Sequence, residues 1–238
     1  MLEAPAKLTL SLRLTGVRDD GFHLIDAEMV TLDLADILYV TRGGNGLEIA
    51  GPFANGVSSD ENNLVNRALR LCNIEAHVRI DKRIPSGGGL GGGSADAAAI
   101  LRWANFTDLI AASRLGADIP FCMVGGHAHV QGIGEVITPM PLVAKDITLV
   151  IPPLAVSTAE VYEAWDALGG PDANGANDLE SAALLVEPRL AIWRDRISGA
   201  TGMTPTLAGS GATWWIYGAH KKLADDLPEA TVLLTKTR

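Results

Sequence analysis

Ile84-Pro85-Ser86-Gly87-Gly88-Gly89-Leu90-Gly91-Gly92-Gly93-Ser94-Ala95-Asp96-Ala97-Ala98-Ala99 is the stretch from which the rest of this chain is read. Six of the seven residues 87–93 are glycine, so the backbone there can approach a ligand closely and adopt turns closed to other residues. Residues 77–81 before it alternate as a strand, and residues 95–103 after it read as a buried, Ala-rich helix. Ser94 and Asp96 are expected to open that helix as capping residues. A glycine loop ending on a helix N-terminus offers free N–H groups and a positive dipole end, which suits phosphate. A flexible linker would lack both the strand and the helix. The loop has no Gly-Lys-Ser/Thr ending of a P-loop, and no acidic residue follows a second strand at dinucleotide-binding spacing.

The 238 residues can bury a substantial core as one large or two smaller domains. Apolar residues make up 47% and charged residues 20%, a globular balance. The net charge of −9 argues against a nucleic-acid partner, which would need clustered Lys and Arg. No apolar run reaches membrane-spanning length and residues 1–5 lack signal-peptide character, so the expectation is a cytoplasmic protein without a membrane partner. Cys72 and Cys122 sit in apolar surroundings and read as buried thiols.

Strands are expected at 6–15, 27–34, 37–41, 47–50, 77–81, 127–131, 135–138, 147–151, 206–208, 213–217 and 231–234. Helices are expected at 63–72, 95–103, 108–115, 158–167, 179–185, 188–197 and 219–227. Gly43-Gly44-Asn45-Gly46 reads as a hairpin turn leading into strand 47–50. The run Asp81-Lys82-Arg83 reads as a solvated strand end, with Arg83 near enough to the loop to help with phosphate. His127 and His129 share one strand face but find no third ligand at matching spacing, so a structural role is expected. The character of the chain changes near residue 145, which places a domain boundary there.

Three separated motifs now stand in order: Pro5-Ala6-Lys7-Leu8 on the first strand, the glycine loop in the middle, and Gly209-Ser210-Gly211-Ala212-Thr213 near the end. The pattern resembles the GHMP kinases, a superfamily of ATP-dependent small-molecule kinases. Gly16 followed by Asp20-Gly21-Phe22-His23-Leu24 is similar to a cytidine-binding segment of one branch. Leu115-Gly116-Ala117-Asp118-Ile119-Pro120-Phe121 and Gly132-Ile133-Gly134-Glu135 are similar to the same branch. The resemblance spans nearly the whole chain.

The resemblance implies an α+β fold of two domains. Residues 1–145 would form a ribosomal-protein-S5-like half and residues 146–238 a ferredoxin-like half. It implies ATP with Mg2+ as phosphoryl donor, the phosphates lying on Pro85, Ser86, Gly87, Gly88, Gly89, Leu90, Gly91, Gly92, Gly93, Ser94 and Ala95. The acceptor would be a cytidine diphosphate-linked methylerythritol, phosphorylated at its 2-hydroxyl in non-mevalonate isoprenoid precursor synthesis. Asp118 corresponds to the catalytic aspartate that takes the hydroxyl proton, and Lys7 to the lysine beside it that helps hold the attacking oxygen. One carboxylate near an alcohol and one ammonium near developing charge suffice for phosphoryl transfer. His23 would hydrogen-bond the cytosine, with Phe22 and Tyr162 stacking on its faces and Thr158 a lesser contact. Gly209, Ser210 and Gly211 would approach the phosphates or acceptor from the second half.

No protein metal site is assigned; Ser94 is a candidate Mg2+ ligand, with the ion otherwise held by ATP oxygens and water. Thr9 stands where the family carries Asn, and Phe22 where it carries Tyr, so two polar contacts with the acceptor differ. The expected assembly is a monomer or weak homodimer. Two other readings stay open: a GHMP kinase for another alcohol, such as mevalonate or homoserine, and a catalytically silent nucleotide-binding relative.

Overall fold

A computed structural model of the protein describes residues 1–170 and 175–238. Strands β1 (Leu2–Val17) and β2 (His23–Arg42) form a long antiparallel hairpin around the Asp19-Asp20-Gly21 turn. β2 is one strand where the sequence suggests two. Asp36, in the gap between the two expected strands, is fully buried and accepts from the Arg83 and Ile84 N–H groups, so the ladder continues. One edge of β2 pairs with β1; the other pairs Ile37–Arg42 with β4 (Ala76–Asp81) and Ile25–Val30 with β5 (His127–Gly132). β6 (Val136–Met140) flanks β5. β3 (Leu47–Ala50) lies parallel to β4, so Gly43-Gly44-Asn45-Gly46 is not a hairpin turn; it crosses the end of β4 instead of folding back on β2. A parallel partner needs such a crossing, which no two-residue turn can make.

Helices α1 (Leu64–Leu71), α2 (Gly92–Trp103), α3 (Leu109–Ser113) and α4 (Ile119–Val124) pack together against this sheet. Asn63 caps α1 by accepting from the Val65 N–H. Residues 95–101 of α2 are all buried, and the alanines among them let neighbouring elements come close on every side. Its cap is Gly91, in the left-handed conformation, rather than Ser94 or Asp96; the helix begins three residues earlier than its composition suggests. The Ala95 N–H is already bonded to the Gly91 carbonyl.

A second sheet holds β7 (Asp146–Ile151), β8 (Thr206–Leu207), β9 (Trp214–Tyr217) and β10 (Thr231–Lys236), in the order β10-β7-β9-β8 and antiparallel throughout. Helices α5 (Thr158–Ala167), α6 (Glu180–Val186) and α7 (Arg189–Thr201) connect β7 to β8, and α8 (Leu223–Asp226) connects β9 to β10. That is the split βαβ pattern of a ferredoxin-like unit. α8 is shorter than expected because the His220 N–H donates to Thr148 Oγ1, docking the preceding residues onto β7. Trp214 and Trp215 are both buried, and Trp215 meets Tyr217 edge to face.

Bonds between the two halves of the chain include two sets at the sheets' margins. Leu12 on β1 exchanges backbone hydrogen bonds with Ala176 and Asp178 (2.8 and 3.0 Å), and Asp178 also pairs with Arg13 at 2.7 Å. Asp33 on β2 accepts from Thr235 and from the Lys236 N–H on β10. Among the described residues no helix is long and apolar enough to cross a membrane.

Candidate active site

A cleft of about 820 Å³ opens where the two sheets meet. It is lined by Lys7 and Thr9 from β1, Phe22 from the turn before β2, His23 from its first position, the glycine loop, Asp118, Thr158 and Tyr162 from α5, and Gly209 and Ser210. Residues from positions 7 to 210 thus face one space. Ala95 and Gly211 stand behind its wall: Ala95 is fully buried, and the Gly211 N–H closes a turn onto the Ala208 carbonyl.

Lys7 reaches the cleft because of a register shift in β1 between Pro5 and Lys7. The irregularity releases the Lys7 N–H from the ladder, and it donates instead to the Leu90 carbonyl at 3.0 Å, tying the glycine loop to the strand. The Lys7 ammonium lies 3.2 Å from Asp118 Oδ2 and donates to Thr9 Oγ1 at 3.3 Å. Lys7 is buried, whereas the Asp118 side chain keeps 31% of its surface open to the cleft. Asp118 occupies the N-cap of α4 but makes no capping bond; its carboxylate turns to Lys7. The loop before it is packed by Gly134, where a Cβ would stand 2.1 Å from the Ala117 carbonyl.

The glycine loop needs its glycines for a similar reason. A Cβ on Gly89 would lie 2.0 Å from the Ala208 carbonyl, and one on Gly91 would lie 2.8 Å from Lys7 Cγ. The loop is therefore clasped between β1 and the second sheet's Gly209 loop. Asn177 holds that second loop, donating from Nδ2 to the Leu207 and Gly209 carbonyls at 2.9 and 2.7 Å. Ser210 Oγ and Thr158 Oγ1 are 2.9 Å apart, so α5 is linked to the same loop.

His23 stacks at 4.7 Å on Tyr162, with the rings tilted 51°, and meets Trp165 edge to face at 5.8 Å. Its Nε2 pairs with Asp166 Oδ1 at 2.8 Å. Burial, with the nearby Asp118 charge adding, pushes the Tyr162 phenol up to about 12, so it stays protonated. Phe22 is 53% exposed at the cleft mouth, with an open face.

Sequence reasoning missed Asp166 and the cluster around Lys82. Asp166 lies four residues after Tyr162, one helical turn along the same face. Lys82 is not a solvated strand end: it is 2% exposed, between Asp36 and Asp96. The alternation of buried Ala76, Val78 and Ile80 already carries Lys82 onto the inward face. Arg83, by contrast, pairs with Asp81 at the surface. His127 and His129 pair with Glu28 and Asp26 across β2 and β5, each at 2.7 Å. Cys72 is half-buried, Cys122 is buried, and both thiols are free.

This combination of a ferredoxin-like half, a glycine loop on a helix N-terminus and a Lys–Asp pair between them defines the class of GHMP kinases. The family description "GHMP kinases N terminal domain" matches residues 63–126. A protein of Paracoccus denitrificans (strain Pd 1222) named 4-diphosphocytidyl-2-C-methyl-D-erythritol kinase is 37% identical over 233 residues, covering 88% of this chain and 84% of that protein. One of the same name from Ruegeria pomeroyi (strain ATCC 700808 / DSM 15171 / DSS-3) is 39% identical, covering 88% of this chain and 85% of that protein. A solved structure of a 4-(cytidine 5'-diphospho)-2C-methyl-D-erythritol kinase superposes with a TM-score of 0.77 at 31% identity, covering all of this chain and 98% of the other. The chain belongs to the 4-diphosphocytidyl-2-C-methyl-D-erythritol kinase family, and is an ATP-dependent small-molecule kinase.

Proposed function

We propose that this kinase moves the ATP γ-phosphate to the 2-hydroxyl of 4-diphosphocytidyl-2-C-methyl-D-erythritol, with Lys7 and Asp118 as its catalytic residues. The single observation that carries the assignment is the 3.2 Å pair between them, at the meeting point of the glycine loop and the Gly209 loop. The Asp118 carboxylate takes the hydroxyl proton as the acceptor oxygen bonds to phosphorus and the bond to the ADP oxygen breaks. The Lys7 ammonium and Thr9 hydroxyl steady that oxygen as charge develops. Residues 85–94 seat the phosphates, and the Ser210 and Thr158 hydroxyls face the acceptor side. His23 and Tyr162 form the cytosine wall, closed from the front by Phe22. Residues 1–145 and 146–238 act as two domains that share the cleft.

Mg2+ fits the site as an ion carried by phosphate oxygens. Hard oxygen donors lining the cleft at the loop include the Ser86 and Ser94 hydroxyls and the Asp96 and Asp118 carboxylates, and no group of three His, Cys, Asp or Glu forms a cage among the described residues. When bound it neutralises phosphate charge. The protein works in the cytoplasm as a monomer or weak homodimer.

The test is ADP release with ATP and the cytidine-linked alcohol as substrates. Wild type turns over, and Asp118→Asn loses on the order of 10²–10⁴ in kcat while still binding ATP. Equal turnover in both, or none with wild type, overturns the proposal.

A further inference from the structure

Behind the glycine loop stands a buried hydroxyl without a hydrogen-bond partner among the described residues, that of Thr213. Thr213 ends the Gly209 loop, one residue before β9. Its backbone is engaged: the Thr213 carbonyl accepts from the Ala208 N–H at 2.9 Å and closes that loop. Its side chain is fully buried, and Oγ1 is left over. A buried hydroxyl in that condition is unfavourable, because water satisfied both its donor and its acceptor capacity in the unfolded chain. Packing alone does not call for an alcohol here, since valine has the same shape and the same branching.

The hydroxyl is aimed at the glycine loop. Thr213 Oγ1 is the nearest atom that a Cβ on Gly88 would meet, at 2.6 Å. Gly88 lines the cleft and Thr213 does not, so the loop runs between the hydroxyl and the space for the phosphates. A trans peptide is planar, and its N–H and C=O point in opposite directions. A loop peptide that turns its N–H to a phosphate therefore turns its carbonyl to the back, where the Thr213 O–H is the donor at hand. Hydrogen bonds in series polarise one another, so a carbonyl that accepts makes the N–H of its own peptide a stronger donor to the anion. Gly87 is exposed, and a Cβ there would meet nothing within 4 Å, so the peptide joining it to Gly88 has room to turn.

We propose that Thr213 is a positioning residue for ATP: its buried hydroxyl donates to the Gly87 carbonyl as the Gly88 N–H turns to the triphosphate. The second sheet thereby fixes the loop in its phosphate-binding arrangement, through a side chain that never touches the nucleotide. The inference rests on the reading of residues 85–94 as the phosphate seat. Removing the hydroxyl then has two effects of opposite sign. It relieves the free protein of an unpartnered polar group, and it withdraws a hydrogen bond from the complex with ATP.

The experiment compares Thr213→Val, which keeps the shape and loses the hydroxyl, with Thr213→Ser, which keeps the hydroxyl and loses a methyl. Thermal unfolding without nucleotide and calorimetric titration with MgATP are measured on the same intact proteins. Thr213→Val is expected to hold or raise the thermal midpoint and to weaken ATP binding roughly fivefold to tenfold, the loss of one hydrogen bond. KM for ATP rises with it, and KM for the acceptor does not. Thr213→Ser lowers the midpoint through the lost methyl and binds ATP within about twofold of wild type. A hydroxyl that merely braced the fold would make midpoint and affinity fall together in Thr213→Val; that result overturns the inference, as does wild-type ATP affinity in this variant. A crystal structure of the wild type with Mg2+ and a non-hydrolysable ATP analogue decides whether or not the variants fold. Thr213 Oγ1 is expected about 3 Å from the Gly87 carbonyl oxygen, and a separation beyond about 3.5 Å overturns the inference. Absence of ATP binding to wild type, or analogue phosphates seated away from residues 85–94, overturns the phosphate-seat reading itself, and this inference with it.

Discussion

Asp166 on α5 is the partner of His23 Nε2. A carboxylate 2.8 Å from Nε2 holds the proton there and leaves Nδ1 as an acceptor, suited to the amino group of cytosine. Asp166→Ala is expected to free the ring to change tautomer and to tilt away from Tyr162. KM for the cytidine-linked acceptor should then rise roughly tenfold, the loss of a hydrogen bond of about 1.4 kcal/mol, with KM for ATP unchanged. Steady-state kinetics with each substrate varied in turn checks this; a rise in both constants would mean that α5 itself has shifted. The same scale explains why Phe22 retains an aromatic face at the cleft mouth without a phenol: it is half exposed and its ring surface is what the cleft presents.

The glycine loop works as an element by how closely its backbone is approached. Gly87 and Gly89 share a left-handed conformation, with φ of 70° and 73°, but differ in surroundings. A Cβ on Gly87 meets nothing within 4 Å, whereas one on Gly89 would stand 2.0 Å from the Ala208 carbonyl. Gly87→Ala is expected to lose only the backbone strain, about 1–2 kcal/mol. Gly89→Ala adds a backbone clash that must push the two loops apart, so its thermal midpoint should fall clearly further and ATP affinity should drop with it. Paired melting curves and nucleotide titrations decide this, and equal losses in the two variants would show that the contact gives way freely. β2 argues in the same direction: a strand of 20 residues carries Asp36 through its interior because the Arg83 and Ile84 N–H groups and Lys82 are waiting for that carboxylate.

For the whole molecule, the cleft exists because the second sheet is docked against the first. Asn177 is the hinge of that docking: its amide reaches two carbonyls of the Gly209 loop, its Oδ1 accepts from the Leu179 N–H, and its backbone neighbours pair with Leu12 on β1. Asn177→Ala would leave two carbonyls and one N–H buried without partners, a loss of about 2–4 kcal/mol. The Gly209 loop would then drift from Lys7, so kcat is expected to fall at least tenfold even at temperatures where the variant remains folded. Far-UV circular dichroism alongside kcat separates the two effects, and a folded variant with wild-type kcat would remove Asn177 from this role.

Most strands and helices and the glycine loop were legible in the chain because they rest on local facts, though α4 and the continuity of β2 were not, and Lys7, Asp118 and His23 were picked out by the resemblance of their motifs. Period-two alternation marks β1 and β4, and alanine runs mark α2. The joining of Asp36 to Lys82 and Asp96, the contact of Asp166 with His23, and the parallel placement of β3 belong to the tertiary structure. Each depends on groups 14 to 143 residues apart, or on which sheet edge is free, and such distances leave no periodic trace. Burial decides the rest: a charge reads as solvated until its partners are known, and only packing brings Lys82 a carboxylate on either side.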